Sequence, residues 1–319
     1  MPISNYPNGF SNGVIIRGIP LTAAQPGNVY WVNGSSVLAD GAVGGSNGNP
    51  GTYQKPFATI DYAIERCKAS RGDTIMVMPG HTETVSAAGS IACDVAGVAI
   101  VGLGTGSLRP TISFTTAATA SITVSAANVT WKNCIFSAAF ADIAEVFVLS
   151  AKNLWLEDCD IVDSAATLNF LSIMDTNTTD NACDGFSMLR CKWVTPDTAT
   201  LAACSIDADL DGLYIHDCYM NLGVNSSDLP ILAIVATGKD VTNVDIQGNR
   251  LIRLNDANPL LITADTTTAN TGVIAYNTVR HLDTAAELLV TAATNISFTQ
   301  NLCSAAVDAS GFLVPAADS

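Results

Sequence analysis

Three features of the amino-acid sequence predict an all-β chain wound as a single-stranded parallel β-helix. A short unit recurs seven times: apolar, any, apolar, two of any, Cys or Asn, any, apolar. Its copies are VTWKNCIF from Val129, LWLEDCDI from Leu154, FSMLRCKW from Phe186, LYIHDCYM from Leu213, VDIQGNRL from Val244, a copy one residue shorter at Val273, and ISFTQNLC from Ile296. The start-to-start steps are 25, 32, 27, 31, 29 and 23 residues, the length of a solenoid turn and too short for a domain. Further strand-like segments intervene at 122–124, 146–149, 170–173, 231–235, 260–262, 288–290 and 312–314, with no helical periodicity between them. Each unit is too small to bury its own apolar side, so the copies must stack, about nine coils giving a shaft of ~43 Å at ~4.8 Å per coil.

Residues 1–28 predict an extended arm. Pro2, Pro7, Pro20 and Pro26, with Asn-Gly pairs at 8–9 and 12–13, leave room for one short apolar stretch at 14–16. Its apolar side chains, Ile3, Tyr6, Phe10, Val14, Ile16, Ile19 and Leu21, are candidates for an interface. Residues 29–71 predict an opening strand at 29–32, a Gly/Asn/Ser-rich loop at 33–51 and a capping helix at 57–70. The helix follows from Ile60, Ala63, Ile64 and Cys67, spaced along one face, with Thr59 or Ser70 serving its ends and Gly72 closing it. Placed there, it plugs the open end of a strand stack that would otherwise pair with anything. The β-helix proper occupies 72–319, starting with an alternating strand closed by Pro79-Gly80, then strands at 98–103 and 111–114. The far end must be covered by the tail from Ser304 or by a partner subunit.

The unit also matches the core of a leucine-rich repeat. Those repeats need another apolar residue three positions upstream, where this chain has Ala126, Ala151, Cys183, Leu210, Val241, Asn270 and Ala293, and a helical return. The β-helix is the better match.

Composition narrows function. Of 319 residues 48% are apolar and 13% charged, the net charge is −15, and the 14 basic residues are scattered singly. Nucleic-acid binding needs a clustered basic stripe, so none is expected, and no apolar run approaches a membrane span. The first residues have neither a basic start nor an apolar stretch, so no secretory signal is expected. Of nine cysteines, Cys134, Cys159, Cys191 and Cys218 share a repeat position with Asn249 and Asn301, which predicts a packing position inside a turn, with free thiols kept in a reducing compartment.

Motifs for chemistry are sparse. VAIVGLGTGSL at 98–108 lacks the third glycine of a dinucleotide fingerprint, and Pro110 blocks the helix that must follow. Gly44 to Gly48 satisfies G-x-S-x-G, but in a loop and not between strand and helix. Asp207, Asp209 and Asp211 begin a calcium-loop pattern whose twelfth position, due to be Glu, is Cys218; they are a weak cation candidate, and no other metal or cofactor is expected. Asp158 and Asp160, with the 207–211 acids two coils away, are the carboxylates to consider for glycan cleavage, but no Arg shares their column. His81, His216 and His281 are expected at the surface or in turns. Residues pointing outward after the first apolar position are Thr130, Trp155, Ser187, Tyr214, Asp245, Ile274 and Ser297. Trp155 and Tyr214 thus share an outer face, a subunit interface or a glycan platform.

Several strings resemble one family: PFATIDYAI at 56–64, GDTIMVMPGH at 72–81, VAGVAIVGLGTGSLRPTI at 95–112, TAAELLV at 284–290 and the ending LVPAADS, together with the arm NGFSNGVIIRGIPL at 8–21. They are similar to right-handed β-helix proteins encoded among the virion genes of tailed bacteriophages. The resemblance implies a right-handed helix and a role in the virion: a head decoration or cement protein, a homotrimer docked on the major capsid protein through its arm, without catalysis. The alternatives are a tail spike or receptor-binding fibre that recognises host glycans, and a polysaccharide lyase or glycoside hydrolase.

Overall fold

The computed structural model describes residues 15–16, 19–20, 27–34, 43–195, 200–222, 231–253, 262–263, 270–280, 290–291, 295–304 and 311–312. It is a parallel β-helix with three walls. The first sheet holds ten strands, from Val29–Val32 through Thr74–Val77, Ala99–Gly102, Thr130–Lys132, Trp155–Glu157, Phe186–Leu189, Leu210–His216, Val241–Gln247 and Thr271–Ala275 to Asn295–Thr299. The second, from Thr82–Val85, also holds ten and the third, from Ala88–Cys93, holds eight. All pairs within the shaft are parallel, and each coil adds one strand to each wall in turn. The returns are strands; among the described residues helix is confined to Ile60–Arg66 and a 3₁₀ turn at Gly106–Leu108, which excludes a leucine-rich repeat. No helix among them is long and apolar enough to cross a membrane.

Period-two alternation builds the walls. In the first sheet the inward column runs Ile75, Ile100, Trp131, Leu156, Met188, Ile215, Ile246, Ile274, every member buried. A single coil fills its section with side chains from all three sheets: Trp131, Phe136 and Phe147 meet edge to face at centroid distances of 5.1–6.0 Å.

The corners explain the rest of the unit. The residue just before the Cys or Asn is left-handed in coil after coil: Asn133, Asp158, Arg190, Asp217, Gly248, Tyr276 and Gln300 all have φ between 51° and 69°. One such residue bends the chain from the first sheet into the second without a loop. A second left-handed position recurs at or just before the start of six first-sheet strands, at Gly97, Asn128 and Asn153, at Gly185, and inside the longer strands at Gly212 and Asn243, and uses the residues that tolerate that conformation best.

The Cys/Asn column points inward, as expected, and the structure shows why the two residues interchange. Four members donate to the carbonyl of the inward residue one coil earlier: Cys159 Sγ to Trp131 (3.6 Å), Cys218 Sγ to Met188 (3.6 Å), Asn249 Nδ2 to Ile215 (2.7 Å) and Asn301 Nδ2 to Ile274 (2.8 Å), while Cys134 and Cys191 donate to Lys132 O and Leu189 O of their own coils. The same column includes Asn277, bonded to Ile246 O at 2.9 Å. The copy assigned to Val273 therefore begins at Gly272 and is full length. Val273 faces outward, 38% exposed, whereas Ile274, expected outside, is fully buried. Gly272 disguised the register because it replaces the first apolar residue; a Cβ there would lie 2.2 Å from Val244 O. Another strand the sequence did not reveal, Cys204–Ile206, completes the third wall beside Phe170–Thr176.

At the first end of the shaft the helix is shorter than expected. Thr59 caps it, accepting from Tyr62 N, and Ile60, Ala63 and Ile64 face the core. Phe57 lies outside it because its backbone extends the first sheet, donating to Trp31 O and accepting from Asn33 N. At the other end Ser70 is left-handed and its N–H goes to Ala96 O. His81, expected at the surface or in a turn, closes the Pro79-Gly80 turn with its N–H on Met78 O, but it is fully buried behind this cap. Its Nδ1 accepts from Gly34 N (2.7 Å), so Nε2 carries the proton donated to Glu83 Oε2 (3.1 Å), which also accepts from Ile60 N (2.8 Å). Buried Asp73 likewise accepts from Asn28 N, Lys68 N and both arms of the Arg71 guanidinium at 2.6–2.7 Å.

In the arm, Ile15–Ile16 pairs antiparallel with Ile19–Pro20, setting Ile16 opposite Ile19. Ile3, Tyr6, Phe10, Val14 and Leu21 lie outside the described residues, as does His281. At the far end Gly311–Phe312 pairs antiparallel with the strand Leu302–Ser304, covering the edge of the second sheet.

Candidate functional site

The candidate site lies on the outer face of the first sheet. Its register places Thr130, Trp155, Ser187, Tyr214, Asp245, Val273 and Ser297 in one column. Trp155 is 42% and Tyr214 38% exposed, and Ser187, between them, is too small to fill the gap. The result is a groove of about 520 Å³ walled by the two aromatic rings, floored by Gly185, Ser187 and Met188, and edged by Asn153, Leu189 and His216. No loop covers it. His216 Nε2 lies 3.2 Å from Asp245 Oδ2, leaving a polar rim beside the rings.

A second cavity, about 500 Å³, lies where the first sheet turns into the second, lined by Arg109, Lys132, Asn133, Asp158, Asp160 and Arg190 among others. Leu189 edges the groove and Arg190 the cavity, so the two adjoin. Here the sequence reading needs correction: an arginine does share the acids' column. Arg190 occupies the same left-handed corner as Asp158 one coil earlier and clasps it with Nε at 2.7 Å and Nη2 at 3.0 Å, while Nη2 also reaches Glu157. Lys132 Nζ bonds Glu157 at 2.8 Å, and Arg109 pairs with Asp160. Lys132 and then Arg190 hold the Glu157 carboxyl below its usual range, and Arg190 foremost does the same for Asp158. Sequence distance hid this network: Arg109 and Asp160 are 51 residues apart.

The acidic run expected as a cation candidate is built into strand and corner. The strand Leu210–His216 contains Asp211, so no calcium loop forms. Asp209 Oδ1 accepts from Asp240 N (2.9 Å), and Asp211 Oδ1 from Thr242 Oγ1 and Asn243 Nδ2 (both 2.7 Å). Asp207 N donates to Thr176 Oγ1 (2.8 Å). Among the described residues no group of three or more His, Cys, Asp or Glu side chains is placed to hold a metal ion. On the third sheet, burial and then Asp175 push the Glu145 carboxyl up to about 7, and burial followed by Asp207 raises Asp175.

The eight cysteines from Cys67 to Cys218 are free thiols, seven of them buried. Burial raises Cys134, Cys159 and Cys191 well above the ordinary thiol range, which makes them packing groups and not nucleophiles.

Compared with known proteins, the chain matches no family model and no curated protein. Its backbone is similar to a solved structure of a rhamnogalacturonan lyase, with a TM-score of 0.57 and 15% identity over 87% of this chain and 74% of that one. At that identity the likeness is one of fold. It nonetheless overturns the expectation that the chain is without catalysis: the solved architecture it resembles is that of an enzyme acting on a polysaccharide, so the β-helix wall supplies no ground for excluding one.

Proposed function

We propose that this protein engages a polysaccharide chain along the outer face of its first sheet. The observation that carries this reading is the open groove between Trp155 and Tyr214, two exposed rings in one register column with only Ser187 between them. The apolar faces of sugar rings stack on aromatic side chains, and the adjacent Asn153, Ser187 and His216 offer donors and acceptors for hydroxyl groups. A rigid wall of parallel strands holds both rings at fixed separation, so little order has to be gained on binding. The test is retention of the protein on immobilised polysaccharides, with Trp155→Ala and Tyr214→Ala alongside. Loss of retention in both variants, with unchanged thermal stability, supports the reading; full retention in both refutes it. The bound polymers, analysed for new chain ends, show whether engagement includes cleavage.

For the setting of this activity, the support is the sequence resemblance. The rod is read as a surface component of a tailed-phage virion, a homotrimer whose arm at 1–28 docks on the major capsid protein and whose shaft meets glycans. Deleting residues 1–20 leaves a rod that still binds polysaccharide but no longer associates with capsids; retained capsid binding removes that role from the arm.

A further inference from the structure

We infer that the polymer taken by this wall is uncharged, and that the ion-pair network beside the groove is the part that reads its hydroxyl groups. The inference rests on the glycan reading above and deepens it. Its warrant is charge balance in the ion-pair network that lines the second cavity. The lining holds three cations, Arg109, Lys132 and Arg190, and two carboxylates, Asp158 and Asp160; Glu157, outside the lining but bonded to Lys132 and Arg190, brings the network to three of each, and every cation has a carboxylate partner. A uronate carboxylate entering here would have to displace one of those partners and leave a second anion beside it. Like charges in a half-buried cleft are costly, and the net charge of −15 adds a repulsive field around the whole shaft.

Hydroxyl groups meet no such conflict. A hydroxyl donates to one group and accepts from another, and this cavity presents guanidinium and ammonium donors interleaved with carboxylate acceptors. Arg190 (46% exposed side chain), Lys132 (40%) and Asp158 (36%) keep part of their polar surface toward solvent, where a ligand would approach. Asn133 is held by its own bonds to Gly102 O (2.8 Å) and Gly104 O (3.1 Å), which fixes the cavity's edge. The groove contributes the complementary part, two rings and a neutral floor. Together the two cavities cross five successive first-sheet strands, from Ala99–Gly102 to Leu210–His216, about 19 Å along the axis at ~4.8 Å per coil. A chain lying parallel to the axis spans both parts.

The experiment titrates the full chain with four uncharged polymers (dextran, mannan, galactan and xylan) and with polygalacturonate of matched length. Arg190→Gln and Trp155→Ala are measured beside the parent. The expected result is binding of at least one uncharged polymer, its affinity changing less than about twofold between low salt and about 0.5 M NaCl. Trp155→Ala then loses about tenfold or more and Arg190→Gln several-fold. Polygalacturonate binding as tightly as any uncharged polymer, or an affinity that Arg190→Gln leaves unchanged, overturns this inference while leaving the glycan reading intact. Binding indifferent to Trp155→Ala likewise overturns this inference, whereas no binding to any of the five polymers defeats the glycan reading and this inference with it.

Discussion

Asn249 donates its side-chain amide to the Asn277 side-chain carbonyl at 2.9 Å, and Asn277 passes the same bond to Asn301 at 3.0 Å. The three amides are buried, and each also reaches the backbone carbonyl of the coil before it. At Cys159 and Cys218 the thiol reaches the equivalent carbonyl over a longer distance. Asn277→Ala takes a hydrogen-bond partner from Ile246 O, Asn249 N and the side-chain amides of Asn249 and Asn301 at once, and is expected to cost about 2–4 kcal/mol. Asn277→Cys restores one donor and should cost less. Urea titrations of the two variants give the order; an equal loss in both contradicts the shared-acceptor explanation.

Gly272 and Gly106 both have φ in the positive range, but only Gly272 is also crowded by a neighbouring coil. Gly272→Ala should cost more than about 3 kcal/mol, since Val244 backbone must give way, against about 1 kcal/mol for Gly106→Ala, which meets open space. Comparable thermal shifts in the two variants would show that conformation alone, and not contact between coils, sets the requirement.

Asp73 ties the first end of the shaft together. Burial raises its pKa, but the Arg71 guanidinium and the N–H groups of Lys68 and Asn28 outweigh that and hold it below the ordinary value. A carboxyl lowered in the folded state contributes stability that is full above its unfolded value of about 3.9 and is lost as pH falls through the folded one. Asp73→Asn should therefore destabilise by about 2–4 kcal/mol at pH 7 and progressively less in acid. Differential scanning calorimetry across that range checks it; a pH-independent penalty argues for shape and against charge.

Glu145 has the opposite sign. Its folded value of about 7 exceeds the unfolded one, so the stability linked to its proton is present below about pH 4 and is lost as pH rises toward 7. With solvent screening of a half-exposed group, the loss is on the order of 1 kcal/mol. Glu145→Gln should melt higher than the parent at pH 8 and no higher at pH 4. A constant difference between those two conditions rules out titration as its origin.

Much of this architecture was legible because β-helix walls repeat one local rule. The apolar positions of Trp131, Leu156, Met188 and Ile215 alternate with period two, and the Cys/Asn position marks each turn, so the stack and the outward placement of Trp155 and Tyr214 follow from spacing. Position 273 misled because Gly272 carries no side chain to declare its side of the wall. His81 misled because histidine gives no sign of burial until Gly34, 47 residues away, supplies its partner. The guanidinium network was hidden for a related reason. The corner residue is chosen for a backbone angle that Asn, Asp, Arg and Gly all meet here, so Arg190 did not stand out as belonging with Asp158 until the coils were stacked. The groove is a property of two coils with a third between them, which no single repeat contains.

Because successive circuits from Asn128 to Gly248 close on the same pair of left-handed corners, one of these circuits is a removable part. Excising residues 186–212 joins Gly185 to Leu213 and seats the Tyr214 strand directly against that of Trp155, turning an open slot into a stacked pair of rings. The shaft would shorten by one storey and keep its shape, while the space for a guest would vanish.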